Sequence, residues 1–187
     1  MIAAQGAGPD EERVILVDDA DRPLGTEGKL AAHRKNLRHR AISVLVFDRA
    51  GRMLLQRRAA QKYHSPGLWS NACCTHPRPG EAAAGAASRR LAEEMGIAPP
   101  LVFAGLFAYE APVGDGLWEN EIVHVFTGIH DGAAASDPAP DPAEVGDWRW
   151  MEGAALRADV AARGHLYTPW FRLYAEAPWF AGPAFAA

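Results

Sequence analysis

Residues 69–97, WSNACCTHPRPGEAAAGAASRRLAEEMGI, constrain this chain more than any other stretch. A cysteine and histidine cluster leads into Pro77, Pro79 and Gly80, which turn the chain, and a helical pattern follows. Glu81 starts the predicted helix, the Arg89-Arg90-Leu91-Ala92-Glu93-Glu94 run closes it, and Gly96 is the stop signal. Ala84, Ala87, Leu91 and Met95 recur at helical spacing, so one stripe can pack on a sheet. Arg90 and Glu94 share a face. Carboxylates hold hard cations and guanidinium meets phosphate oxygens, so this face suits a metal–diphosphate site.

The helix resembles the Nudix box, G-x5-E-x7-R-E-U-x-E-E-x-G-U, where U is aliphatic. Glu81, Arg89, Leu91, Glu93, Glu94, Gly96 and Ile97 fit at the right spacing. Thr75 stands where the first glycine belongs, and Arg90 replaces the Glu after the box arginine. Losing that carboxylate argues against pyrophosphate hydrolysis.

The chain of 187 residues is long enough for one domain with a sizeable core. A formal net charge of −4 gives no general electrostatic basis for binding nucleic acid or an anionic membrane, so an anionic ligand needs a local basic pocket. No apolar run reaches transmembrane length, and MIAAQGAGPDEER lacks the basic and apolar regions of a signal peptide. Cys73 and Cys74 are adjacent and poorly placed for a structural disulfide, which fits a reducing cytoplasm.

Residues 1–11 are predicted to be a disordered lead and 178–187 a flexible tail, leaving 12–177 as a single domain. Strands are expected at 13–18, 41–48, 52–57, 101–109, 119–129 and 147–151, with 41–48 and 52–57 forming a hairpin. Helices are expected at 29–33, 152–163 and 168–177 besides the central one. Residues 61–67 and 110–116 read as loops, and 131–144, rich in Ala, Asp and Pro, as a mobile excursion. Strands interleaved with helices, some through hairpins, point to an α/β/α sandwich with a mixed β-sheet.

Glu119 and Glu121 alternate with Asn120 on a predicted strand, so their side chains share one face about 7 Å apart. Two carboxylates on an otherwise apolar strand are costly unless they bind a cation or a proton, which favours a metal. His33, His39 and His76 lie in or beside predicted loops, and with the two carboxylates they would suit a divalent Mn, Fe, Zn or Mg ion. His64, His124, His130 and His165 read as polar surface, His124 having the opposite strand parity to the glutamates. Lys29, Arg57, Arg58, Lys62 and Arg90 form a candidate diphosphate clamp. Cys74, beside His76, is a candidate for acid–base or nucleophilic work, whereas Cys73 reads as a buried thiol. Trp170 reads either as core or as an aromatic wall facing a cationic intermediate.

Together, GTEGKLAAH, LLQRRAAQKYHSPGLWSNACCTHP, the box with Arg-Arg for Arg-Glu, Trp-Glu-Asn-Glu and Thr-Pro-Trp resemble the type I isopentenyl diphosphate isomerases. That family is a divergent branch of the Nudix superfamily, and the likeness runs from about Val14 to Trp170. It implies an α/β, Nudix-like α/β/α sandwich with a mixed β-sheet. It also implies interconversion of isopentenyl and dimethylallyl diphosphate through a tertiary carbocation, in isoprenoid biosynthesis. Position by position, His33, His39, His76, Glu119 and Glu121 would bind one Mn²⁺ or another divalent ion such as Mg²⁺ or Zn²⁺. Glu94 would bind a second cation, Mg²⁺, together with the diphosphate that Lys29, Arg58, Lys62 and Arg90 hold. Cys74 and Glu121 would transfer protons, Tyr109 would assist on the glutamate side, and Trp170 would face the isoprenoid carbons. The implied protein is cytoplasmic, a monomer or homodimer, acting on a small-molecule diphosphate without nucleic-acid or membrane partners. Five residues separate His33 from His39, one fewer than the family spacing, so either the loop absorbs the deletion or His39 is the least secure ligand.

Overall fold

A computed structural model describes residues 12–131 and 137–177; the predicted lead and tail lie outside the described residues. The chain runs β1 (Arg13–Val17), β2 (Pro23–Gly28), α1 (Lys29–Arg34), β3 (His39–Phe47), β4 (Met53–Arg58), β5 (Trp69–Asn71) and β6 (Cys73–Thr75). It continues through α2 (Ala83–Met95), β7 (Leu101–Gly114), β8 (Leu117–Ile129), β9 (Val145–Met151), α3 (Gly153–Arg163) and α4 (Pro169–Tyr174). None of the described helices is long and apolar enough to cross a membrane.

The spine is β3, whose residues 41–47 are all buried because both sheet faces are covered. Ala41, Leu45 and Phe47 pack with Val123, Val125, Leu156, Trp170 and Phe171, so α3 and α4 cover that face. Ile42, Val44 and Val46 pack with Ala87, Leu91, Met95 and Phe126 under α2. This is the expected α/β/α sandwich. β3 pairs in parallel with β8 along its whole length, from His39 opposite Glu121 to Phe47 opposite Ile129. β7 runs antiparallel to β8, and the sheet is therefore mixed. The other edge of β3 is shared by β1, β6 and β4 in turn.

Several boundaries differ from the sequence reading. The 41–48 and 52–57 hairpin splits after the Phe47–Met53 pair, since β3 then takes β6 as neighbour and β4 takes β5 and β9. β2 was not among the expected strands, since Pro23, Gly25 and Gly28 carry little strand signal. Among the described strands it pairs only with β1, and an edge strand tolerates such residues. Residues 110–114, expected to be loop, continue β7 through a bulge at Pro112/Gly114, and a tight turn at Asp115 and Gly116 leads into β8. Ala84 is exposed, and the packed stripe of α2 is Ala86, Ala87, Leu91, Glu94 and Met95.

Glu81 does not start α2 but precedes it. Its carboxylate accepts from the Arg78 N–H at 2.9 Å and from Arg89 at 2.7 and 2.8 Å, lashing the preceding turn to the helix. Residues 137–144 of the supposed mobile excursion are docked, Ala139 N–H donating to Met95 O at 3.1 Å and Asp141 N–H to Glu94 O at 3.0 Å. Residues 132–136 of it lie outside the described residues.

Gly96 ends α2 in the left-handed region at φ 67°, and a Cβ there would stand 2.5 Å from the Ala139 carbonyl oxygen. Both the conformation and the backbone contact select glycine. Gly96→Ala is expected to lower unfolding free energy by about 2 kcal/mol, read by urea denaturation, whereas a tolerant site would lose only a few tenths.

Candidate active site

The site grows from one rank of side chains across the sheet. His39, Glu121 and Tyr109 are register partners on β3, β8 and β7 and point to the same face. Glu119 shares their face by strand parity. His33 comes from α1 and His76 follows β6. Ligand atoms of His33, His39, His76, Glu119 and Glu121, all buried, lie within 4.8 Å of one another. The short connection between His33 and His39 is made possible by Asn36 at φ 53°, a left-handed turn that asparagine tolerates.

This donor set fits a divalent cation. The hydrogen-bond network assigns the tautomers: His33 Nδ1 donates to Lys29 O and His39 Nδ1 to Leu37 O, both at 2.7 Å. Each Nε2 is thereby aimed inward, as in ligating histidines. Nε2 of His39 lies 3.1 Å from Nε2 of His76, and Nε2 of His33 is buried without a hydrogen-bond partner. Burial, aided by His39 and Lys29, holds His76 well below its ordinary value, which keeps it neutral. Burial would raise the Glu121 carboxyl, but its contacts with His39, with Glu119 and with the donating Tyr109 hydroxyl outweigh it and hold it at about 2.

A cleft of about 870 Å³ opens above this cluster, lined by His76, Glu119 and Glu121 and also by Cys74, Tyr109 and Trp170. Adjacent positions on β6 separate the cysteines. Cys74, opposite Ser43, faces the cleft, while Cys73 is fully buried under α2, as expected for a structural thiol. The Cys74 thiol donates to Asn71 Oδ1 at 3.0 Å and lies 3.6 Å from Ser43 Oγ. Burial pushes it up to about 12 against those two contacts, so it is a neutral acid near pH 7. Tyr109 donates its hydroxyl to Glu121 Oε2 at 2.8 Å, and burial, then Glu121, keeps that phenol protonated. Trp170 both packs in the core and lines the cleft, held by Nε1–H donation to Ser70 Oγ at 3.0 Å.

Lys29, Arg58, Lys62 and Arg90 line the same cleft. Lys29 pairs with Glu12 at 2.9 Å, and Arg58 lies 5.4 Å over the Trp170 ring. Arg90 binds Glu94 at 2.7 Å, Glu93 at 2.8 Å and Glu144 at 3.2 Å, and Lys62 also binds Glu144. Burial would raise Glu144, but Lys62 and Arg90 hold it below the usual carboxylate range. Arg57 does not join the clamp: it is exposed on the opposite face of β4, 3.7 Å from Asp147. Strand parity with Arg58 was the available signal.

Of the four histidines read as polar surface, only His165 is exposed. His124 is half-buried and binds Asp21 at 2.7 Å, and His130 is buried and stacks on Trp150. His64 is buried on the cleft wall, its Nε2 3.4 Å from Glu119 and its ring 5.7 Å from that of Trp170. Asn71, Ser43 and Glu144 are the other participants that sequence reasoning passed over.

The profile described as NUDIX domain matches residues 37–171. Isopentenyl-diphosphate Delta-isomerase 1 of Aromatoleum aromaticum is 56% identical over 86% of this chain and 88% of that protein. Isopentenyl-diphosphate Delta-isomerase of Burkholderia multivorans is 49% identical over 89% of this chain and 92% of that protein. Among solved structures, DR0079 from Deinococcus radiodurans gives a TM-score of 0.71 at 18% identity, covering 88% and 97% of the two chains, a likeness of fold alone.

Proposed function

We propose, on the premise that this chain belongs to the NUDIX family and within it to the isopentenyl-diphosphate Delta-isomerases, that it interconverts isopentenyl and dimethylallyl diphosphate in isoprenoid biosynthesis. One observation carries the residue-level reading: the Cys74 thiol, the Glu121 carboxylate and the Trp170 indole line the same cleft as Lys29, Arg58, Lys62 and Arg90. The cations Lys29, Arg58, Lys62 and Arg90 suit a diphosphate, and the remainder suits an uncharged hydrocarbon that must gain and lose a proton.

In this reading Cys74 and Glu121 form the proton-transferring pair, and Tyr109 supports the glutamate. Moving the double bond requires protonating an unactivated alkene and taking a proton from the neighbouring carbon, through a tertiary carbocation. The thiol as a neutral acid and the carboxylate as an anion are the complementary resting states such a pair needs. Trp170 lines the cleft, where its indole would favour transient positive charge, and the buried setting would limit capture of the cation by water. Diphosphate binding supplies remote energy that positions a featureless chain. His33, His39, His76, Glu119 and Glu121 would hold one Mn²⁺ or another divalent ion, Mg²⁺ or Zn²⁺, and Glu94 a Mg²⁺ shared with the diphosphate. Bound there, a cation would orient Glu121 and lower its proton affinity.

The test is incubation with isopentenyl diphosphate, Mg²⁺ and Mn²⁺ in deuterated water, followed by proton and phosphorus NMR. The expected result is growth of dimethylallyl signals with deuterium incorporation and an intact diphosphate. Release of phosphate would make the protein a hydrolase, and two unchanged spectra would remove the isomerase reading.

A further inference from the structure

We propose that Glu144 is a positioning residue of the diphosphate site, setting the separation of Lys62 and Arg90 so that both cations face one anion. This rests on the reading of Lys62 and Arg90 as diphosphate-holding groups. Glu144 Oε2 accepts from Lys62 Nζ, and Oε1 accepts from Arg90 Nη2 at 3.2 Å. One carboxylate thus spans two cations from different parts of the fold, the loop after β4 and helix α2.

The backbone beneath that carboxylate is fixed on both sides. Ala59 N–H donates to Glu144 O at 3.0 Å, and Gln61 Nε2 donates to the carbonyls of Pro142 and Ala143 at 3.3 and 3.1 Å. Glu144 N–H donates to Asp141 O, and Asp141 N–H in turn to Glu94 O, both at 3.0 Å. The 141–144 turn therefore ties the end of α2 to the segment that bears Lys62. A carboxylate so held can dictate where two long side chains stand.

Lysine and arginine lose much rotamer freedom when a ligand immobilises them, and unbridged they would repel each other. Holding both in place beforehand reduces what binding must spend on order. The bridge does not exhaust their donors. An ammonium has three N–H groups, and Arg90 Nη1 carries a second N–H besides the one given to Glu93, while Nη2 serves Glu94 and Glu144. Glu144 thus completes the clamp while leaving hydrogen bonds for phosphate oxygens.

The test measures inorganic pyrophosphate binding to the metal-loaded protein by calorimetry, with steady-state kinetics on isopentenyl diphosphate. Glu144→Gln is expected to weaken pyrophosphate binding and raise KM about tenfold, with kcat moving much less. Lys62→Met should also weaken binding, and the double variant should lose less than the product of the two single losses. That coupling would not follow from a merely structural role. Tighter binding by Glu144→Gln would overturn the proposal, because the carboxylate would then compete with the anion. An unchanged affinity there, alongside a weakened Lys62→Met protein, would sink Glu144 alone and leave the clamp standing. An unaffected Lys62→Met protein would remove the clamp reading itself. A Glu144→Gln defect confined to titrations containing Mg²⁺ would make the carboxylate a cation ligand instead, and would equally overturn the proposal. If Glu144→Gln fails to fold, Glu144→Asp asks the same question, since it keeps the charge but is too short to span both cations, and weaker binding is again expected.

Discussion

Cys74→Ala is expected to fold normally and to isomerise about 10² to 10⁴-fold more slowly, the range lost with a positioned acid–base group. The side chain is half-buried, and its polar contacts are one hydrogen bond to Asn71 and a longer approach to Ser43. Asn71 stays anchored without it, because its amide still donates to Ser43 Oγ and to the carbonyls of Val44 and Cys73. The melting temperature should therefore change by only a few degrees while deuterium incorporation collapses. With the thiol pushed up to about 12, it stays overwhelmingly protonated at pH 8, so iodoacetamide should alkylate Cys74 slowly despite its exposure to the cleft. Since the protonated form is the one proposed to act, ionisation of Cys74 should not limit the rate until pH approaches that value. Full activity in Cys74→Ala would take the thiol out of the chemistry, and rapid alkylation at pH 8 would contradict its protonated resting state.

What was legible in the chain divides along physical lines. The carboxylates at 119 and 121 could be found because strand parity makes i and i+2 coplanar, and the structure places both on the cluster face. α2 could be found because its apolar spacing and its Gly96 stop are local signals. The histidines and cations could be grouped only by residue type, since loop histidines and scattered cations carry no periodicity, and resemblance to a family gave them individual roles. Nothing local marks His64 as buried: contacts with His33 and with Trp170 from α4 bury it, and those exist only in the folded chain. Glu144 was hidden for a different reason. Ala, Asp and Pro around it suggest mobility, yet the segment is held by backbone hydrogen bonds to α2 and to the exit of β4, which no side-chain pattern reports. β5 and β6, three residues each, were too short for any alternation to show.

Glu121→Gln is expected to abolish activity by a different route, and the contrast with Cys74→Ala separates proton transfer from metal binding. Glu121 uses both oxygens. Oε1 lies 2.9 Å from His76 Nε2 and 3.4 Å from His39 Nε2, while Oε2 accepts from Tyr109. An amide of the same shape can keep the tyrosine contact through oxygen but turns N–H donors toward imidazole nitrogens and carries no negative charge. Outer-sphere partners of metal ligands are worth 10 to 100-fold in affinity, so a ligand itself should be worth at least about 100-fold. Wild type and Cys74→Ala should both melt higher when Mn²⁺ is added, because a ligand that binds only the folded state stabilises it. Glu121→Gln should show little or no such rise and should retain less metal after gel filtration, measured by elemental analysis. The metal-free variant should melt below wild type near neutral pH, since a charge that its buried neighbours favour is lost. Near neutral pH the charge lost is one that the fold favours. With the folded carboxyl held at about 2, below its ordinary value, the stabilisation is present above pH 5 and fades only as pH falls toward 2. Wild type should therefore lose more stability than Glu121→Gln on acidification through that window. A Glu121→Gln protein that still binds Mn²⁺ with wild-type affinity would remove Glu121 from the ligand set while leaving its acid–base role to the activity measurement. Retained isomerisation would remove that role as well.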